Sequence, residues 1–449
     1  MTDADAPADP RSPAAAAEPT DRPVADEPPA ERPGRDGHLL RGSVWILIGI
    51  GLQTGLGAAF WFLASKVATP TELGQAAALF SGIQFVNYAS GLGLTTALAR
   101  YATDTSREAD ALFGWAVLAT TLSSLVAGAI YLLVVSSSAT DLLDRSVLGW
   151  VVFIAVTAAT SVGLLVEVRL MAGRRWGWLV ARITLAGVVR IPFVFLALRH
   201  HEATWLFALM LVPLAVVGGL GPALLRLIGE GRARFHRPTV LGPFARYAAV
   251  NWGATLASQA PQFALPLIVA LEVAPKVNAN FFVAWTVTGV VFLVPAGISQ
   301  VLLVEGAKTA SDPGELARRG RDALGYSLGL STVAWLGSLV VSRVVVRVFG
   351  PGYASTGRIL PSLMLAGIPW SIAAIRLAEA RIRRDQVATI AITATLGLGI
   401  LVPALIWVPR WGTLGASRAW LVGNVASALV AVVVRQRPRR TAPIVGEIA

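Results

Sequence analysis

Cysteine is absent from all 449 residues, which excludes disulfides, thiolate metal sites and a cysteine nucleophile in any compartment. Charge is scarce: 14% of residues are Asp, Glu, Lys or Arg while 55% are apolar, a balance far from that of water-soluble domains. The four histidines, His38, His200, His201 and His236, have no metal-ligand spacing, and the chain contains neither a Walker A run nor HExxH. Carboxylates on the expected outer loops are few, only Glu72, Asp141, Asp144, Glu202 and Glu272. That supply is poor for the acid–base or metal chemistry of a membrane glycosyltransferase or ligase. We therefore expect no enzyme, no metal and no cofactor.

What the chain has is apolar sequence in blocks of roughly 20 residues, the length at which a helix crosses a hydrocarbon core of roughly 30 Å. Spans are expected at Ser43–Ser65, Leu73–Ala99, Leu112–Val135, Val147–Val166, Leu179–Leu198 and Thr204–Leu227. Six more are expected at Ala245–Leu271, Val277–Val304, Ala323–Phe349, Ile359–Ala380, Gln386–Val408 and Leu414–Val434. The fold class that follows is an all-α polytopic membrane protein of about twelve transmembrane helices.

A net charge of +12 would suggest nucleic acid if it formed one patch, but here the basic residues fall in clusters between apolar runs. With the N-terminus inside, about 28 Lys and Arg lie on the inner side and about 8 on the outer. Both termini are accordingly expected in the cytosol, and nucleic acid is not an expected partner. Residues 1–38 lack the apolar core of a signal peptide and read as a disordered cytosolic tail.

Sliding the chain on itself by about 205–214 residues aligns features in one order. Thr69-Pro70 meets Ala274-Pro275. Thr105-Ser106-Arg107-Glu108 meets Asp312-Pro313-Gly314-Glu315, both with capping-box spacing. Glu167-Val168-Arg169 meets Glu379-Ala380-Arg381, and Ile191-Pro192 meets Val402-Pro403. Two six-helix bundles follow, residues 41–230 and 246–435, joined by a cytosolic linker at 231–245 and flanked by tails at 1–40 and 436–449. Because six is even, the halves run in the same direction, related by a pseudo-two-fold axis along the membrane normal.

Polar groups inside apolar spans mark candidate cavity residues, because each is costly in lipid. Arg190 falls near the middle of its span; a cavity role and a structural pairing are both open. Arg418 lies one turn from a span end, where it can snorkel. Arg376 shares a helix face with Glu379 and can simply pair with it. The amides Gln53, Asn87, Asn251, Gln259, Gln262 and Gln300 suit either hydrogen bonds to sugar hydroxyls or bonds between helices. Asn251, Gln259 and Gln262 share roughly one helix side. Pro192, Pro213, Pro261, Pro266, Pro295, Pro369 and Pro403 interrupt spans and predict kinks.

The two six-span halves, the stretch from Arg246 through Asn251 to Pro295, Gln300 and Glu305, and Val348-Phe349-Gly350-Pro351-Gly352-Tyr353 together resemble a known group. It is the polysaccharide-transporter branch, the Wzx-type flippases, of the multidrug/oligosaccharidyl-lipid/polysaccharide (MOP) flippase superfamily. The likeness runs from Gly42 to Arg435. It implies a flippase of the bacterial plasma membrane that carries a polyprenyl-diphosphate-linked oligosaccharide from the inner to the outer leaflet by alternating access, for surface polysaccharide or cell-envelope synthesis. The partners it implies are that lipid-linked oligosaccharide, membrane lipids, a proton or sodium ion if transport is coupled, and polysaccharide-assembly enzymes. A cation-coupled multidrug exporter of the same superfamily is the alternative, but the carboxylate such exporters carry in the first or seventh helix is missing from residues 41–66 and 246–271. A membrane-embedded polysaccharide polymerase or ligase comes last.

Overall fold

Thr69 shows how the chain starts a helix. Its hydroxyl accepts from the backbone N–H of Glu72 at 3.3 Å while the Glu72 carboxylate accepts from the N–H of Thr69 at 2.7 Å, with Pro70 occupying the first helical position. The computed structural model describes residues 35–102, 106–135, 143, 147–194, 203–308, 313–383 and 385–434. Residues 42–449 cluster as one unit and residues 1–41 as another, of which 35–41 are described and helical.

Fourteen α-helices occur among the described residues. They are α1 (Arg35–Val67), α2 (Pro70–Ser90), α3 (Leu94–Tyr101), α4 (Arg107–Val134), α5 (Val147–Ala172), α6 (Trp176–Val194), α7 (Ala203–Gly219) and α8 (Gly221–Leu227). After a connection come α9 (Leu241–Glu272), α10 (Pro275–Lys308), α11 (Pro313–Phe349), α12 (Ala354–Leu365), α13 (Gly367–Ile382) and α14 (Gln386–Val433). Each expected span falls on helix, with turns at 91–93, 220 and 366 inside the second, sixth and tenth and with 195–198 of the fifth outside the described residues. By length and hydropathy, seven of the helical segments suffice to cross a bilayer.

The burial pattern is that of a protein whose solvent is lipid. On α11, Leu330, Val333, Leu336 and Val340 are at least half exposed, whereas Ser327, Ser331 and Ser338 are fully buried. Ser331 reaches Ser371 of α13 at 3.0 Å, and Ser90 of α2 reaches Ser124 of α4 at the same distance. Small hydroxyl residues inside and branched apolar ones outside reverse the soluble pattern and are typical of packed membrane helices.

Several breaks differ from a plain reading of the spans. The second span is two helices, parted at 91–93, where Gly93 has φ +67° and a Cβ would stand 2.8 Å from the Trp252 nitrogen. The tenth divides at Ala366, so Pro369 sits in the first turn of α13 and not inside a helix. The last two spans join in α14 across a kink at Gly412. At the start of α4 the cap is Ser106, accepting from Ala109 N–H at 3.2 Å; Glu108 turns instead to Thr239, whose N–H it accepts at 3.0 Å. Thr105 and Asp312 of the expected capping boxes lie outside the described residues.

The pair α2–α3 lies in the notch between α9 and α10. At the end carrying Pro70 and Pro275, Gly74 lies against the Pro275 backbone and accepts from Asn278 Nδ2 at 2.8 Å. Trp61, Phe80 and Phe282 close over this contact with ring centroids 4.5–6.0 Å apart. Further along, Tyr88 stacks on Phe263 at 4.7 Å and Trp252 Nε1 donates to the Ala89 carbonyl at 2.9 Å. At the opposite end the connection after α8 is held to α4 and α5. Buried Asp110 accepts from Arg232 N–H at 3.0 Å and pairs with Arg169 and Arg234, each at 3.4 Å; Trp115 Nε1 donates to the His236 carbonyl at 3.1 Å.

Candidate functional site

A cavity of about 330 Å³ opens among α9, α10, α13 and α14. The sequence makes it aromatic and amide-rich. Trp285 and Phe292 point into it from α10, Trp370 from α13 and Trp420 from α14. Trp420 meets Trp285 edge-on at 4.8 Å and lies 5.3 Å from Phe292, which in turn stacks near Trp370 at 6.4 Å. Gln259 and Gln262 reach the wall from α9 around the helical proline Pro261, and Gln300 from α10. Arg381 brings the one charged side chain among the described lining residues.

Two polar atoms in this wall lack a partner among the described residues. Asn424 is fully buried; its Nδ2 donates to the Trp420 carbonyl at 2.8 Å, while its Oδ1 accepts nothing. Trp420 Nε1 likewise donates to nothing. Leaving such groups dry costs about 1–3 kcal/mol each, and both atoms lie closed off behind the lining surface.

Of the residues expected from sequence, the structure brings Gln259, Gln262 and Gln300 together here. Asn251 is not among them; it lines a separate groove with Tyr101, Arg246 and Tyr247, its Nδ2 donating to the Tyr247 carbonyl at 2.8 Å. Asn87 is buried and satisfied between α2 and α5, donating to Thr160 at 3.0 Å and accepting from Ser161 at 2.8 Å. Gln53 lies exposed on α1. Arg376 pairs with Glu379 at 2.8 Å, and Arg418, exposed, lies over the Trp411 ring at 5.3 Å.

Arg190 is buried, 5.8 Å from the Phe60 ring centroid, and its Nε has no hydrogen-bond partner among the described residues. Its helical neighbours elsewhere are paired: Arg182 binds Glu167 at 2.7 Å. Trp285, Trp370 and Trp420 carried no flag in the sequence because they sit mid-span, where an aromatic residue reads as packing; Arg381 read as part of an inner basic cluster. Among the described residues no three His, Asp or Glu side chains gather as a metal site.

No family model matches the chain, and no curated protein matches it in sequence. Solved structures do match. A structure of the lipid II flippase MurJ, in an inward closed conformation, superposes with a TM-score of 0.67 over 88% of this chain and 87% of that one, at 12% identity. An inward-facing multidrug resistance MATE family transporter of the MOP superfamily gives 0.61 over 88% and 96%, at 16% identity.

The chain has the fold shared by these MurJ and MATE structures.

A MATE structure in complex with MaL6 agrees, at a TM-score of 0.56, 14% identity and coverage of 88% and 94%. The likeness takes in both MurJ and MATE, so it reaches the fold of the superfamily and does not single out the polysaccharide-transporter branch expected from sequence. These matched proteins are a flippase and multidrug transporters by name, none of them an enzyme.

Proposed function

We propose that this chain is a flippase that carries a lipid-diphosphate-linked oligosaccharide from the inner to the outer leaflet of the plasma membrane by alternating access. In this reading twelve spans form two six-helix bundles, both termini are cytosolic, and the cavity of the second bundle receives the glycan. The observation that carries it is the wall itself: broad aromatic faces for the C–H faces of sugars and amides for their hydroxyls. Arg190 and Arg381 supply forked donors suited to phosphate oxygens. An inside-negative potential then favours outward movement of the anion by ~2.3 kcal/mol per charge per 100 mV.

The MATE-like alternative is a multidrug exporter. The aromatic cage would suit a flat organic cation, but the described lining residues include an arginine and no carboxylate, which disfavours one. Purified protein in vesicles decides between them. Protection of a fluorescent polyprenyl-diphosphate oligosaccharide from an external quencher should change with time only in protein-containing vesicles. Uptake of an organic cation with no movement of the lipid would reverse the assignment.

A further inference from the structure

The groove lined by Asn251 is separate from the cavity and combines α3 and α9, which lie far apart in the chain. Arg100 ends α3, and its guanidinium lies 4.6 Å from the Tyr247 ring of α9 and 5.6 Å from Tyr101. Tyr101 in turn meets Tyr247 and Phe244 edge-on at 5.8 and 6.0 Å. Arg246 stands one residue before Tyr247 and lines the same groove with Pro243 and Val250, a space of about 580 Å³.

Three features of these two arginines, taken together, suit an anionic ligand. Neither has an ion-pair partner among the described residues, whereas Arg169, Arg175, Arg182 and Arg234, in the same part of the chain, each meet a carboxylate. Both are exposed, yet Arg100 is held by two rings and so has little freedom to lose on binding. Beyond them α9 presents an apolar exposed surface: Val250 is 69% exposed, flanked by exposed Ala249 and, one turn on, Gly253. Fixed cations beside an uncovered apolar helix face match a phosphate group with an acyl chain attached.

We propose that this groove is a binding site for an anionic phospholipid, its phosphate held between Arg100 and Arg246 and its acyl chain lying along α9 past Val250. Because the two arginines come from α3 and α9, the bound lipid ties together the two sides of the contact that Gly93 makes with α9. Loss of the lipid loosens that contact, which makes the composition of the bilayer a control on the opening of this end of the molecule. This site is independent of what the cavity carries.

Native mass spectrometry of full-length protein, released from nanodiscs of equal phosphatidylglycerol and phosphatidylcholine, reads the site directly. At about 1 kcal/mol per arginine near a charged surface, two arginines correspond to about thirtyfold preferential retention of phosphatidylglycerol. The Arg100→Gln/Arg246→Gln protein should lose that preference. A control with equal charge loss on α11, Arg318→Gln/Arg321→Gln, should keep it. Inorganic phosphate at millimolar concentration should leave the retained lipid in place, since the acyl chain contributes; displacement by phosphate would mean a free-anion site and overturn the lipid assignment. Equal retention of both lipids by the wild type, or equal loss in both double variants, would overturn the proposal, with size-exclusion profiles of the variants confirming that each is folded.

Discussion

Gly74→Ala is the sharpest perturbation of the contact between α2 and α10. A Cβ on Gly74 would stand 2.5 Å from the Pro275 carbonyl carbon, and closer still to its oxygen. Ordinary contact begins near 3.4 Å, and the carbonyl oxygen, as the nearer atom, sets the shift, so the two helices must part by more than ~1 Å. That shift stretches the Asn278 Nδ2–Gly74 carbonyl bond from 2.8 Å past the hydrogen-bond limit of about 3.5 Å. An unsatisfied buried amide costs about 1–3 kcal/mol and the strain of overpacking about 1–3 more, or ~2–6 kcal/mol against the closed arrangement. The absence of cysteine gives a clean assay, since Ala279, fully buried beside Asn278, can be replaced by the chain's one thiol. Ala279→Cys should react slowly with a membrane-impermeant maleimide. Adding Gly74→Ala should accelerate labelling by about thirtyfold or more, the population change for the lower bound of ~2 kcal/mol. Unchanged labelling with an unchanged melting temperature would refute the claim that this glycine holds the contact shut.

Substitutions at four other positions test separate parts of the account. Asp110→Ala removes the carboxylate that pairs with buried Arg169 and accepts from Arg232 N–H, releasing the connection between α8 and α9, for a predicted loss of about 3–5 kcal/mol in detergent unfolding; a loss below about 1 kcal/mol would mean that the connection is not anchored there. Asn424→Leu removes the orphaned acceptor in the cavity wall, and we expect folding to be unharmed or improved while transport falls; normal transport would remove Asn424 from the site. Arg190→Ala should abolish translocation at equal protein levels and Arg190→Lys should leave it impaired, since a point charge replaces a fork, whereas Arg418→Ala, on an exposed residue, should behave as wild type.

Much of the architecture was legible because lipid imposes a simple rule on sequence. Long apolar runs between arginine clusters gave the helical segments, and Pro70 and Pro275, aligned by the internal repeat, both open helices that meet at Gly74. The breaks were less visible. Gly91 and Gly93, Gly367 and Pro369, and Pro409 and Gly412 stand at the three breaks, but glycine and proline also recur inside unbroken membrane helices, so they did not by themselves say where a helix ends. Site residues were legible only where polarity made them conspicuous. Gln259, Gln262 and Gln300 stood out and meet in one cavity, while Asn251 shares their helix side yet lies some turns away in another groove. Trp285, Trp370 and Trp420 are silent in sequence, because an aromatic residue in an apolar span has the same signature whether it packs or lines a cavity.

The central claim is transport of a saccharide-bearing lipid through the aromatic and amide-lined cavity of the second half. Its most direct test is quencher-protected translocation of a polyprenyl-diphosphate oligosaccharide in vesicles, comparing wild type with Trp420→Ala/Asn424→Leu at equal incorporation. The account predicts time-dependent movement by the wild type and its loss in the double variant, with both proteins monodisperse. Movement at the same rate in both would contradict it.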